Sequence, residues 1–251
     1  MTQKEITLAV SVLILVVVAL LAPALPQDQA YHAFADARAW WGIPNAADTL
    51  SNLAFVVVGL YGLLLRAGHP FYTQSAPLRA WSQVFFLGLI ATGLGSGWYH
   101  WLPQDSGLAV DRYGMVLAFA GVLGAIATHK VSTRAGDALG WVSLLLGISS
   151  VFWWQWQGNL TPYAVLQFGG IALVLWLAWV PATQPGPRWG WLLCAYIIAK
   201  VCETFDQTLF DLTQHLISGH TLKHLWAAAA GLAFFKPAPS QARAGAQYDQ
   251  Q

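Results

Sequence analysis

Two histidines, His220 and His224, stand four residues apart in an apolar stretch that reads as helix. At that spacing their rings lie one turn above each other on a single face. Such a pair can reach one metal ion, as the histidines of helical zinc motifs do. A third imidazole, His100, closes another apolar stretch that ends Gly95-Ser96-Gly97-Trp98-Tyr99-His100. Three protein ligands with an open fourth position form the arrangement of catalytic zinc, and three imidazoles suit Zn2+ best. Zinc in such a site brings the pKa of its water to about 7. Asp111, at the start of the next stretch, offers a carboxylate that can take a proton and return it. Ser96 lies four residues before His100, so its hydroxyl faces the same pocket and can hydrogen-bond water or a developing oxyanion. The competing reading of His220 and His224 alone is a pair of helix-packing hydrogen bonds.

Other polar residues are expected at the same level, each with a structural reading beside the functional one. Lys200, Glu203 and Asp206 follow at i, i+3 and i+6, and Asp48-Thr49-Leu50-Ser51-Asn52 opens a further span. Lys200 and Glu203 form either a salt bridge fixing two helices or part of the site. Asp111-Arg112 can be an interfacial ion pair, and Lys223 can snorkel outward. His32, His69, His129 and His215 read as interfacial polar residues. Cys194 and Cys202 offer no disulfide framework and read as small hydrophobes.

The elements that must carry these residues are membrane helices. Of 251 residues, 57% are hydrophobic and 9% charged, against roughly a quarter charged in soluble domains. A water-soluble enzyme is thereby excluded, and a net charge of +1 without basic runs excludes a nucleic-acid partner. Apolar stretches near the length that crosses roughly 30 Å of hydrocarbon occur at 6–25, 48–67, 80–102, 111–128, 138–157, 162–183, 189–210 and 219–236. The first can be a retained helix or a signal peptide, given Lys4 and Ala22-Pro23-Ala24.

Loop charges orient the bundle. Lys4, Arg66, Arg79, Lys130, Arg134, Arg188, Lys236 and Arg243 fall on one side, which is therefore expected to be cytoplasmic. Most of the aspartates and the histidine cluster fall on the other, in the outer half of the membrane. Tryptophans mark both interfaces, Trp98, Trp101, Trp153 and Trp156 outside and Trp81, Trp141 and Trp189 inside. The expected fold is an all-α integral membrane bundle with these parts: 1–35, an N-terminal helix or signal sequence with its outer loop; 36–236, seven helices; and 237–251, a flexible cytoplasmic tail.

On these residues the chain resembles the alkaline ceramidases, in a superfamily of seven-helix membrane hydrolases that includes progestin/adiponectin-type receptors. The matching pieces are Ser51-Asn52, Ser96-x3-His100, Asp111 and the late His220-x3-His224, over about residues 36–236. The resemblance implies zinc on His100, His220 and His224, with Ser96 and Asp111 beside it. It implies hydrolysis of the N-acyl bond of ceramide or a related N-acyl lipid. The eukaryotic branch also binds Ca2+ through an acidic loop ahead of its first helix. That acidic density is missing here, and Asp36, Asn45 and Asp48 are the candidate remnants, with Ser51, Lys200, Glu203 and Asp206 as second-shell candidates. The short loops suggest a bacterial inner-membrane version. A metal-containing lipid-binding or receptor-like protein without hydrolase activity is the alternative; a retinal-type photoreceptor or transporter, prompted by Lys200, is a distant third. Oligomeric state is not legible.

Overall fold

The computed structural model describes residues 1–65, 75–182 and 184–235. The last residues expected in span 48–67, Thr183, the loop residue His69, the cytoplasmic markers Arg66, Lys236 and Arg243, and the tail 237–251 lie outside these. Among the described residues the fold is an all-helical bundle. Its helices are α1 (Gln3–Leu21), α2 (Ala46–Ser51), α3 (Leu53–Leu65), α4 (Ala76–Trp101), α5 (Asp105–Lys130), α6 (Thr133–Gln157), α7 (Thr161–Trp179), α8 (Trp189–Thr204), α9 (Asp206–Leu212) and α10 (Gly219–Ala229). A short 3-10 turn at Gln29–His32 precedes α2, and another at Ala230–Phe234 prolongs α10.

Local chemistry sets the boundaries. Thr2 and Glu5 form a capping box at the start of α1. Ser75, Ser132 and Ser218 each accept from a backbone N–H in the first turn of α4, α6 and α10. Gly158, with φ 69°, closes α6 in the left-handed conformation.

Among the described residues, five helical segments are long and apolar enough to cross a membrane: Gln3–Leu21, Ala46–Leu64, Asp105–Lys130, Thr133–Gln157 and Thr161–Trp179. The expected spans 80–102, 189–210 and 219–236 are not among them, and they are the three that carry most of the site. α4 is long enough but diluted by glycine, serine, threonine and tryptophan. The stretch 189–210 breaks at Phe205 into α8 and α9, and α10 tightens into a 3-10 turn after Ala229. Helices that deliver ionisable groups to an interior cannot also be uniformly apolar.

The bundle exposes large apolar side chains and buries a set of polar ones within its hydrophobic core. Leu20, Leu64, Trp156 and Trp179 are each more than two-thirds exposed, whereas Asp36, Asp48 and His100 are fully buried. Water would penalise that arrangement and lipid favours it. Helix α5 is central: 67% of its apolar window is buried, against 6% for the peripheral α1.

Helices α4 and α5 approach through small residues. A Cβ on Gly114 would sit 2.5 Å from the Thr92 amide nitrogen, and one on Gly88 would run into the Ala118 backbone. Backbones come this close only where side chains are absent. The contact fixes the depth of α4 against α5, and so of Ser96 and His100 against Asp111. Gly114→Val is expected to cost about 1–3 kcal/mol of stability, read as a lower unfolding temperature in detergent.

Candidate metal centre

His100 comes from the last turn of α4, and His220 and His224 come from the first turns of α10. Their ligand atoms all lie within 4.8 Å of one another, and all three side chains are buried. The ring centroids are 4.8–4.9 Å apart. Both ring nitrogens of His100 and Nε2 of His224 are buried without a hydrogen-bond partner. Orphaned imidazole nitrogens are costly unless something is meant to fill the space between them.

The hydrogen bonds of Ser51 accommodate one tautomer of His224. Ser51 Oγ lies 2.9 Å from the Asp48 carbonyl, to which it can donate, and 2.7 Å from His224 Nδ1. In the tautomer with the proton on Nδ1, Ser51 accepts from it and the lone pair is left on Nε2, the nitrogen without a partner among the described residues. This is how outer-shell partners orient a metal-binding histidine. Ser51→Ala is expected to weaken metal affinity roughly 10- to 100-fold, measured by metal competition with a chelator, while the histidines remain in place. Nε2 of His220 accepts from the Lys223 ammonium at 2.7 Å, so a metal held by this ring would take Nδ1 or displace that bond. The donor set, three buried imidazoles with ligand atoms within 4.8 Å of one another, fits a borderline metal such as Zn2+.

Carboxylates hold the helix that carries two of the ligands. Asp48 Oδ1 accepts from Thr221 Oγ1 (2.6 Å) and Ser218 Oγ (3.0 Å), clamping α2 to the start of α10. Asp206 Oδ1 accepts from the His220 backbone N–H at 2.7 Å, and its other oxygen accepts from Ala35 N–H. Asn45 Nδ2 donates to the His100 carbonyl at 2.8 Å. Asp36 stands apart: Arg38 Nε and Nη2 donate to its two oxygens at 2.7 and 2.6 Å. Burial would push the pKa of Asp36 up, but the hydrogen bonds from Arg38 outweigh it and hold the carboxyl below its usual range. Asp36, Asn45 and Asp48 thus have three different commitments. Among the described residues, the histidines form the one cluster of three His, Cys, Asp or Glu ligand atoms.

Ser96 and Asp111 meet beside this cluster. The Ser96 hydroxyl faces the Asp111 carboxyl, and Asp111 Oδ1 is buried without a partner. Asp111 does not pair with Arg112: the guanidinium donates to Gln27 Oε1 at 2.6 Å and lies over the Trp154 ring. Lys200 and Glu203 pair within α8, and Glu203 also accepts from Lys223 at 3.2 Å, so Lys223 is the residue that joins two helices. The outward snorkelling expected of Lys223 is therefore corrected; its ammonium has two inward partners, Glu203 and His220.

Residues 22–45, between α1 and α2, lie over this end of the bundle. Phe34 packs its ring on His100 and His220, with centroids 4.5 and 5.2 Å away, and Tyr31 donates to Glu203 at 3.1 Å. Nothing in the sequence marks Phe34, a single aromatic in an irregular loop. His32 bonds Tyr99, whose ring packs 5.0 Å from His100, and Asp105; His129 bonds Trp189 and the Gln184 carbonyl, and His215 pairs with Asp211, and none of the three belongs to the cluster.

A cavity of about 300 Å³ opens from Ser96, Asp111 and His224 into the bundle and continues between Leu89, Phe85 and Val122. Along α4 its lining residues Ser96, Thr92, Leu89 and Phe85 follow one helix face over eleven residues, roughly 16 Å at 1.5 Å per residue. The cavity is polar at the histidine end and apolar below. A second cavity, between α7 and α8, shares Ile171, Tyr196 and Lys200 with it.

No protein-family model matches the chain, and no curated protein matches it.

Proposed function

We propose that the chain is a metal-dependent intramembrane amide hydrolase that cleaves the N-acyl bond of ceramide or a related N-acyl lipid, releasing a fatty acid and an amine. In this reading it is a bacterial relative of the alkaline ceramidases, seven helices with one added at the N-terminus. The site faces the outer leaflet of the inner membrane and the C-terminus is cytoplasmic. The observation that carries it is a cluster of three buried imidazoles, one of which, His224, lines a largely apolar cavity together with Ser96 and Asp111.

His100, His220 and His224 would hold the metal, which supplies Lewis acidity toward the amide carbonyl and toward water. The chain's own residues do the rest. The apolar shaft below Ser96 takes the acyl chain, and the cavity between α7 and α8 gives it a lateral route from the membrane. Phe34 covers the histidines and excludes bulk water, which strengthens every electrostatic interaction beneath it. Asp111 accepts a proton from the attacking water as a bond forms to the carbonyl carbon. The same carboxyl then delivers that proton to the nitrogen as the C–N bond breaks. Ser96, against Asp111, keeps the carboxyl oriented and presents a hydroxyl to the carbonyl oxygen.

The deciding experiment combines metal analysis of the purified protein with fatty-acid release from a panel of N-acyl lipids. About one zinc per chain with release from at least one amide is expected. Metal-free wild-type protein that is nevertheless fully active would overturn the proposal.

A further inference from the structure

Arg112 makes no direct ion pair among the described residues. It is 6% exposed. Nη2 is held by Gln27 at 2.6 Å, whereas Nη1 is buried with no hydrogen-bond partner. The guanidinium is stacked between Trp154 and Tyr163, 4.1 and 5.0 Å from their ring centroids. Those contacts fix the fork in place and leave one of its arms unused. A guanidinium stays charged at any working pH, so burial cannot be relieved by losing the proton. An unpaired buried charge of this kind is expensive.

Arg112 lines the same cavity as Ser96, Asp111 and His224. Lys200, Lys223 and Glu203 line it too, which gives three basic side chains against the two acids Asp111 and Glu203. The two lysines already share Glu203. The cavity lining thus carries one positive charge in excess, and Arg112 is the basic group in it that no carboxylate bonds. A neutral lipid headgroup would leave that excess in place; a monoanion would cancel it, and a dianionic phosphate would overshoot.

We propose that Arg112 is the specificity-determining residue for an anionic headgroup, and that the preferred ligand is an N-acyl amino acid whose carboxylate meets the free arm of this guanidinium. The proposal rests on the N-acyl-lipid reading above and narrows it from neutral amides to those bearing a carboxylate near the scissile bond. Carboxylates match the planar fork, and hydrogen bonds to charged groups in dry surroundings are among the strong ones.

The test measures binding to the full-length, metal-stripped protein in nanodiscs, so that it does not depend on turnover. Three ligands with one acyl chain are compared: N-palmitoylglycine, N-palmitoylethanolamine, and the phosphate ester of the latter. The glycine conjugate is expected to bind roughly 10- to 100-fold more tightly than the neutral ethanolamide. In Arg112→Gln that ratio is expected to fall to near one. Arg112→Lys, which keeps the charge but loses the fork, is expected to give an intermediate ratio and stands in if the glutamine variant does not fold. Equal binding of the neutral and carboxylate ligands by the wild type would overturn the proposal. So would a carboxylate preference that survives in Arg112→Gln, or a phosphate ester that binds more tightly than the carboxylate. Selective carboxylate binding without hydrolysis of any amide by the metal-loaded protein would remove the hydrolase reading and leave the anion subsite standing.

Discussion

Replacing His220 with alanine is expected to strip the metal from the purified protein and to abolish fatty-acid release while the bundle still assembles. The histidine supplies one of only three ligand atoms, gathered within 4.8 Å. Losing one ligand of three removes the enclosed geometry that selects and retains the ion. Lewis acidity contributes several kcal/mol to such hydrolyses, and each 1.36 kcal/mol is tenfold in rate. A fall of roughly 10³-fold or more is therefore expected. Assembly should survive because the bonds that seat α10 do not use the His220 ring. Asp206 accepts from the backbone N–H of residue 220, and Asp48 is bonded by Ser218 and Thr221. Metal content by mass spectrometry, activity, and the monodisperse peak on size exclusion together check the expectation. Full activity with undiminished metal in this variant would show that the histidines are only packing.

The histidine cluster and its neighbours Ser96 and Asp111 were legible in the sequence because they depend on short-range spacing. His220 and His224 are four apart on one helix, as are Ser96 and His100, and helical geometry alone puts each pair on one face. Bringing the pairs together needed only the inference that α4 ends where α10 begins, on one side of the membrane, which loop charge supplied. What the sequence did not disclose depends on long-range contact. Phe34 lies in an irregular loop, and its place over two histidines follows from the path of residues 22–45 across the bundle. The partners of Lys223 and Arg112 are not legible in the sequence for a related reason. A basic residue near a membrane interface ordinarily reaches outward or pairs with its neighbour in sequence. Here the inward partners, Glu203 on α8 and Gln27 in the first loop, lie 20 and 85 positions away. Helix continuity was likewise overestimated at Phe205, because apolar content alone does not show where a helix must turn to deliver Glu203 and Asp206 inward.

Asp111→Asn separates an enzyme from a metal-containing binding protein more cleanly than removal of a ligand does. The substitution keeps the size and shape of the side chain and leaves the three imidazoles untouched, so metal content should be unchanged. What it removes is the ability to hold a proton between water and the leaving nitrogen. A positioned acid–base group of this kind contributes roughly 10²- to 10⁴-fold, and kcat is expected to fall by about that factor with KM little altered. Stability should move the other way or not at all. Asp111 is 8% exposed and its Oδ1 has no hydrogen-bond partner, so replacing a buried carboxyl by a neutral amide relieves a desolvation cost. An unfolding temperature at or above that of the wild type, one metal per chain, and a collapsed kcat would together assign the proton transfer to Asp111. Undiminished turnover would take that role from it. Loss of metal along with activity would move Asp111 into the ligand set and leave the proton carrier to be sought among Glu203 and the lysines beside it.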